Sequence, residues 1–168
     1  MKLRAFLADG VQASEGKLYV LGAGWNRLAT RRFPTRHDRI GIGALVVLEA
    51  GDAGQHTLTL RLLDPDGAPA ALATDAEGTP RQAISIGFGT ADATDGLHET
   101  IVPLALNLDG LVFREPGTYA FELQVDDGGP ERLRFKVDLV ANPGEAGGAD
   151  PSGIGSTSAR TVTEAGYL

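Results

Sequence analysis

The feature that most constrains this chain is the alternation of apolar and polar side chains with a period of two, which places successive side chains on opposite faces of a strand. In the two clearest runs the apolar positions are Tyr119, Phe121, Leu123 and Val125, and then Leu133, Phe135, Val137 and Leu139. Residues 126–130 separate the runs, and their sequence, Asp-Asp-Gly-Gly-Pro, predicts a turn in which a glycine adopts a positive φ. The pattern therefore predicts an antiparallel hairpin, with Glu122 and Asp126 facing the basic row Arg132–Lys136 on its polar face.

Six further runs show the same alternation between turn signals. They are Leu3 to Ala8, Lys17 to Trp25, Asp38 to Glu49, Gln55 to Leu63, Gln82 to Phe88 and Thr100 to Leu108. Pro103 lies inside the last run, and since proline lacks a backbone N–H, we expect it at a sheet edge or a bulge. Helical structure is limited to a possible turn at Ala68 to Thr74 or at Asp92 to Gly96. Eight strands without a substantial helix predict an all-β, immunoglobulin-like, two-sheet antiparallel sandwich.

The stretch Gly117-Thr118-Tyr119 is similar to the strand entry of immunoglobulin-like domains. In those domains a tyrosine hydroxyl turns back to bond the backbone of the preceding corner. The alternative interpretation is that Tyr119 is simply an aromatic residue of the core.

The composition changes sharply after Val140. Residues 142–168 consist largely of Gly, Ala, Ser, Thr, Pro and Glu, and Ile154 and Val162 are the only larger aliphatic residues before the last two positions. So few apolar side chains cannot offset the entropy cost of ordering the segment. We therefore predict a sandwich domain over residues 1–141 and a flexible tail over residues 142–168, ending in the apolar pair Tyr167-Leu168.

Charge and cysteine content exclude several classes of function. A net charge of −7 argues against nucleic-acid binding, which requires basic residues to neutralise phosphates. The absence of cysteine excludes disulfides and zinc–thiolate sites. The sequence contains no run of eighteen apolar residues, so it predicts no membrane span. We therefore expect a cytoplasmic protein without a membrane partner.

The segment Arg27–Arg39 departs from this acidic background. Its five arginines, Arg27, Arg31, Arg32, Arg36 and Arg39, stand against Asp38 alone, which gives a local charge of +4. One interpretation is a loop that binds an anion or an acidic protein, with Trp25 and Phe33 as aromatic anchors, because Arg and Trp dominate interface hot spots. The other is that the arginines pair with the chain's own surplus acids, since surface ion pairs are common and weak.

No catalytic, cofactor or metal motif stands out. Gly22-Ala23-Gly24 lies at the end of the predicted strand Lys17 to Trp25, but the third glycine of a dinucleotide fingerprint falls at Arg27 and no helix follows. These glycines, like those of Gly41-Ile42-Gly43 and Gly87-Phe88-Gly89, indicate bulges or the close approach of strands. The three histidines are His37, His56 and His98. Their spacing matches no metal-ligand motif, so we interpret them as solvated residues. We therefore predict no cofactor, no metal, no small-molecule ligand and no enzymatic activity.

The N-terminal stretch also carries a resemblance. Leu3-Arg4-Ala5-Phe6-Leu7-Ala8-Asp9 is followed by Gly16-Lys17-Leu18-Tyr19-Val20-Leu21-Gly22-Ala23-Gly24-Trp25. This pattern, with the later turn at Pro116–Tyr119 and the strand at Leu104–Leu108, resembles a DUF6941-like family of small, mostly actinobacterial proteins of unknown function. The resemblance covers most of Met1 to Val140. It implies a small sandwich-like cytoplasmic protein and supplies no site residues.

These observations leave three hypotheses for function. The first is a non-catalytic protein-interaction module that uses a sheet edge, the Arg27–Arg39 segment or the Tyr167-Leu168 tip. The second is a structural subunit of a homomeric or heteromeric assembly. The third is an unrecognised hydrolase or carbohydrate-binding sandwich, for which the chain has few aromatic residues.

Overall fold

The computed structural model describes residues 1–49, 51–74, 77–89 and 99–140, and the regular elements in these ranges are all β-strands. In chain order they are β1 (Lys2–Ala8), β2 (Gly10–Ser14), β3 (Lys17–Leu21), β4 (Arg27–Thr30), β5 (Thr35–Leu48), β6 (Gln55–Leu63), β7 (Pro69–Ala70), β8 (Ala73–Thr74), β9 (Pro80–Arg81), β10 (Ala83–Gly89), β11 (Thr100–Phe113), β12 (Gly117–Val125) and β13 (Glu131–Leu139). These ranges contain no helix with the length and apolarity that crossing a membrane requires.

Two main sheets form the sandwich. Sheet A has the order β1-β5-β11, and sheet B has the order β10-β6-β12-β13-β4, with the short strand β7 also pairing with the end of β6. Pairing within both is antiparallel except between β13 and β4, which run parallel. The prediction of an all-β, two-sheet antiparallel sandwich is confirmed, while the immunoglobulin-like classification stays a prediction.

Period-two alternation accounts for the core between the sheets. On β5 the even positions from Ile40 to Leu48 are buried, and the three inward leucines of β6, Leu58, Leu60 and Leu62, are fully buried. Complete burial of one such side chain contributes about 1.5–3 kcal/mol. The described core contains no buried polar or charged residue.

The predicted hairpin of β12 and β13 is confirmed, with Phe121 opposite Leu133 and Glu122 opposite Arg132. The Glu122 carboxylate lies 2.7 Å from Arg132 Nη2, as expected for the polar face. Two details of the prediction are wrong. The positive φ in the turn belongs to Asp126, at 47°, rather than to a glycine. Asp126 also faces β6 instead of the basic row. Its carboxylate accepts hydrogen bonds from the backbone N–H of Thr57 and from the ring of His56.

Each of the eight predicted strands is present, with shifted ends, and five short strands were missed: β2, β4, β7, β8 and β9. The run Lys17 to Trp25 ends as a strand at Leu21. The possible helical turn at Ala68 to Thr74 is wrong, because strands β7 and β8 occupy it, and the one at Asp92 to Gly96 lies outside the described residues. Pro103 lies on β11, an edge strand of sheet A, as predicted.

The hairpin of β2 and β3 packs on the outer side of sheet A, where two glycines permit close approach. A Cβ on Gly41 would lie 2.9 Å from the Cα of Gly10, and a Cβ on Gly43 would lie 2.5 Å from the Phe6 ring. The side chain of Asn107 on β11 holds the hairpin, since its Oδ1 accepts from the Val11 N–H at 3.1 Å and its Nδ2 donates to the Val11 carbonyl at 2.8 Å. The close-approach interpretation is therefore confirmed at Gly41 and Gly43.

The glycines of residues 87–89 differ from each other. A Cβ on Gly89 would meet the Gln55 side chain at 2.5 Å, which fits close approach. A Cβ on Gly87 would have no heavy atom within 4 Å, so the close-approach interpretation is wrong there.

The Tyr119 corner is present. The Tyr119 hydroxyl donates to the Glu115 carbonyl at 3.0 Å, four residues upstream, while the ring is only 3 % exposed. The ring also packs edge-on against Phe113, with centroids 4.9 Å apart. Tyr119 is thus both a core aromatic residue and a tie to the preceding corner.

Candidate functional site

The Arg27–Arg39 segment is not a loop, which corrects the sequence prediction. Its first part is β4, which pairs in parallel with β13, and its last part is the beginning of β5, which pairs with β11. Only residues 31–34 connect the two strands. A four-residue strand such as Arg27–Thr30 offers too short an alternation to be recognised from sequence, and only its pairing with β13 defines it.

Two of the five arginines pair with the chain's own acids, as the alternative interpretation expected. Arg27 Nε lies 2.5 Å from the Asp138 carboxylate. Arg39 donates from two nitrogens to Asp109, at 2.7 and 3.2 Å, and this hydrogen bonding lowers the pKa of Asp109 below its ordinary value. Among the described residues, the other three arginines of the segment form no ion pair and are exposed: Arg31, Arg32 and Arg36.

The two aromatic residues predicted as anchors, Trp25 and Phe33, are partly buried and pack against the core. The indole of Trp25 meets the Phe135 ring edge-on, with centroids 6.2 Å apart. Both rings therefore have a packing role, and the binding role assigned to them stays a prediction. Tyr167 and Leu168, also predicted to bind a partner, lie outside the described residues.

A groove of about 830 Å³ lies between the second half of β11 and the segment that carries β7, β8 and β9. Its apolar lining includes Leu72, Leu111 and Val112, and it brings together Arg36 from β5 and Arg114, which directly follows β11. We call this surface the Arg36–Arg114 groove. Sequence reasoning singled out Arg36 but missed Arg114, because only the pairing of β5 with β11 places the two arginines near each other.

Local backbone geometry explains how Arg36 reaches the groove. Arg36 is opposite Val112 in the β5–β11 register, and Gly110, with a φ of 71°, lies two residues before Val112. A Cβ on Gly110 would lie 2.5 Å from Arg36 Nη2, so the guanidinium occupies the space that a side chain would need. Glycine at this position therefore permits both the backbone conformation and the course of the arginine across β11.

Three carboxylates also line the groove, and two of them already have partners. Asp64 Oδ1 accepts from the backbone N–H groups of Asp66 and Ala68, at 3.0 and 2.8 Å, and Asp109 is held by Arg39. Within the described ranges, the carboxylate of Glu115 and the guanidinium groups of Arg36 and Arg114 form no ion pair. In a chain of net charge −7, the groove thus presents two arginines without a carboxylate partner from the described residues.

The two described histidines, His37 and His56, lie on different strands. His37 lies near the start of β5, His56 near the start of β6, and His98 outside the described residues. No group of three or more His, Asp or Glu side chains in the described ranges is arranged to hold a metal ion.

His56 corrects the expectation of a solvated histidine, because its side chain is only 11 % exposed. Its Nδ1 lies 2.8 Å from the Asp126 carboxylate and its Nε2 lies 2.8 Å from the Asp52 carbonyl. Since ionised carboxylates and carbonyls only accept, both contacts are satisfied together only when both ring nitrogens carry a proton. The hydrogen bond to Asp126, followed by that to Asp52, raises the pKa of His56 above its ordinary value of 6.5.

A family model described as a family of unknown function, DUF6941, matches residues 3–138. The chain belongs to the DUF6941 family. The residues that match the DUF6941 model begin within β1 and end within β13. They therefore include both main sheets and the two groove arginines, Arg36 and Arg114. The resemblance seen in the sequence is thereby confirmed. No curated protein and no solved structure matches the chain.

Proposed function

We propose that this DUF6941 protein is a non-catalytic interaction module of the bacterial cytoplasm, which binds an extended acidic segment of a partner protein in the Arg36–Arg114 groove. One observation carries the proposal: the groove presents two arginines without a carboxylate partner among the described residues, although the chain as a whole is acidic. Arginine suits this role because its planar guanidinium binds carboxylates through two parallel hydrogen bonds.

The remaining lining favours a polypeptide over a free anion. Leu72 and Leu111 form an apolar floor and are almost fully buried, while Val112 on the rim is 50 % exposed. An extended segment with alternating acidic and apolar side chains would place carboxylates on the arginines and apolar groups on Val112 and the floor. A small inorganic anion would leave this apolar lining uncovered.

The test compares charge-reversed variants in a binding assay. A short labelled peptide of alternating glutamate and valine is titrated with the full chain, and fluorescence anisotropy is recorded at low and high salt. The double variant Arg36→Glu/Arg114→Glu should bind at least about tenfold more weakly, which is about 1.4 kcal/mol. Arg134→Glu, with one reversed charge instead of two, is the control, because Arg134 is exposed on the outer face of β13, away from the groove.

The same three proteins then serve as baits in a nuclease-treated lysate of the source organism. A partner captured by the unaltered chain and by Arg134→Glu, and lost with the double variant, would support the proposal. Equal capture by all three proteins would overturn it, as would an equal loss with Arg134→Glu, which would indicate non-specific attraction by net charge.

A second candidate is a structural subunit of a larger assembly. The observation that favours it is the outer edge of β10, which carries no charged residue and which no strand of the described ranges pairs with.

A further inference from the structure

The two main sheets differ in width, and this leaves β10 at the margin of the core. Sheet B has five consecutive strands against three in sheet A, and in the described ranges β10 pairs only with β6. Ile84 and Ile86 point to the core side of β10 but are only half-buried. Their partners on β6, Leu60 and Leu58, are fully buried. The inner side of β10 thus keeps apolar surface that nothing in the described part of the chain covers.

The outer edge of β10 also lacks the features that usually protect an edge strand. Edge strands are blocked by charges, by prolines or by being very short. The seven residues Ala83–Gly89 contain no charged residue and no proline. By contrast, β1 carries Lys2 and Arg4, β11 carries Pro103, and β4 has only four residues. Among the edges of the two main sheets, as far as the described residues form them, that of β10 is the one most open to another strand.

We propose that the β10 edge pairs with β10 of a second copy of this chain, in antiparallel orientation about a twofold axis. A register centred on Ile86 would place Ile86 opposite its own copy and Ile84 opposite Phe88. On the outer face it would place Ser85 opposite Gly87. The two five-stranded sheets would then form one continuous sheet of ten strands.

Self-pairing suits this edge better than pairing with a foreign strand. A twofold contact brings each residue near its own copy, so any charge on the edge would be opposed by a like charge, and β10 has none. The half-buried Ile86 would lie beside its own copy, and the half-buried Ile84 would lie beside Phe88 of the second copy. The outer residues between Ala83 and Gly89 are small, so no bulky side chain hinders the approach. None of the seven residues lines the Arg36–Arg114 groove, so this inference does not depend on the proposed function.

The test is the mass of the full chain in solution, measured by size-exclusion chromatography with light scattering over a range of micromolar concentrations. We expect twice the mass of one chain for the unaltered protein. Ser85→Lys/Gly87→Lys would bring four like charges together at the centre of the contact and should weaken dimerisation at least about tenfold. Lysine at position 87 should be tolerated by the fold, because a Cβ there meets no atom within 4 Å.

Two controls separate this effect from misfolding and from a general charge effect. Thr57→Lys/Gln124→Lys places the same charges on the same face of inner strands β6 and β12, at positions that are not directly opposite each other, and should leave the dimer intact. Mixing the lysine variant with Ser85→Glu/Gly87→Glu should restore a dimer through opposite charges, which a misfolded protein could not do. A monomeric unaltered chain would overturn the inference, and so would a lysine variant that remains dimeric.

Discussion

Phe135 is the centre of an aromatic cluster that joins β13 to the rest of the core, and its removal should be the most damaging single change of this region. Its ring is 1 % exposed. Ring centroids lie 5.3 Å away for Phe121, 5.7 Å for Phe113, 6.0 Å for Tyr119 and 6.2 Å for Trp25. The predicted perturbation is Phe135→Ala.

The expected cost follows from burial and from these contacts. Truncation of a fully buried phenylalanine to alanine costs about 3–5 kcal/mol. A domain of this size is stable by about 5–15 kcal/mol, so the variant should lose a large share of its free energy of unfolding. Phe135→Leu should cost less, since leucine fills much of the space but loses the aromatic pairs, each worth about 0.5–1.5 kcal/mol beyond burial.

The assay is equilibrium unfolding in urea, followed by far-ultraviolet circular dichroism and by the fluorescence of Trp25, the single tryptophan of the chain. The midpoint should fall while the slope of the free energy against urea stays the same, which would indicate an unchanged two-state transition. Leu139→Ala, at a residue of the same strand that is 58 % exposed, should change stability by less than about 0.5 kcal/mol. A loss below about 1 kcal/mol for Phe135→Ala would refute the reasoning, because it would mean that the cluster does not carry the core contact assigned to it.

Two further predictions concern the outer hairpin and the histidine. Gly41→Ala should destabilise the domain by about 1–3 kcal/mol in thermal or urea unfolding, because the added Cβ would meet the backbone of Gly10. Gly87→Ala is the control and should be nearly neutral, because a Cβ there meets no atom within 4 Å. Equal effects of the two substitutions would contradict this expectation. For His56, whose folded pKa is raised, the stabilising contribution is fully present below pH 6.5, the ordinary value, and is lost as pH rises through the folded pKa. For Asp126, whose pKa is lowered chiefly by His56, the contribution is present above its ordinary value of 3.8 and is lost on further acidification. The stability difference between the unaltered chain and His56→Gln should therefore be greatest between about pH 4 and 6.5 and shrink at higher pH, and a difference that is flat from pH 5 to 9 would contradict this.

The alternation of side chains determined most of the architecture. In strands such as β6 and β12, every second residue is apolar, and because the side-chain period of a strand is fixed by its backbone, the buried face follows from sequence alone. Pro103 at an edge was predictable from local chemistry, because proline has no backbone N–H to donate to a neighbouring strand. The hydroxyl bond of Tyr119 was one of two interpretations that the sequence left open, and the structure shows it.

Tertiary structure decided which strands are neighbours. Strand order in turn decided which charged side chains form pairs and which surfaces the strands create together. The arginine segment became two strands because Arg27–Thr30 pairs with β13, which is more than a hundred residues away in the chain. Asp126 follows β12, which lies between β6 and β13, so its side chain could contact a residue of either strand. In the structure it contacts His56 of β6 instead of the basic row of β13. The Arg36–Arg114 groove and the open edge of β10 likewise depend on contacts between distant residues. Periodicity specifies the face on which a side chain lies, but the neighbour that it meets depends on strand order, which a local pattern does not encode.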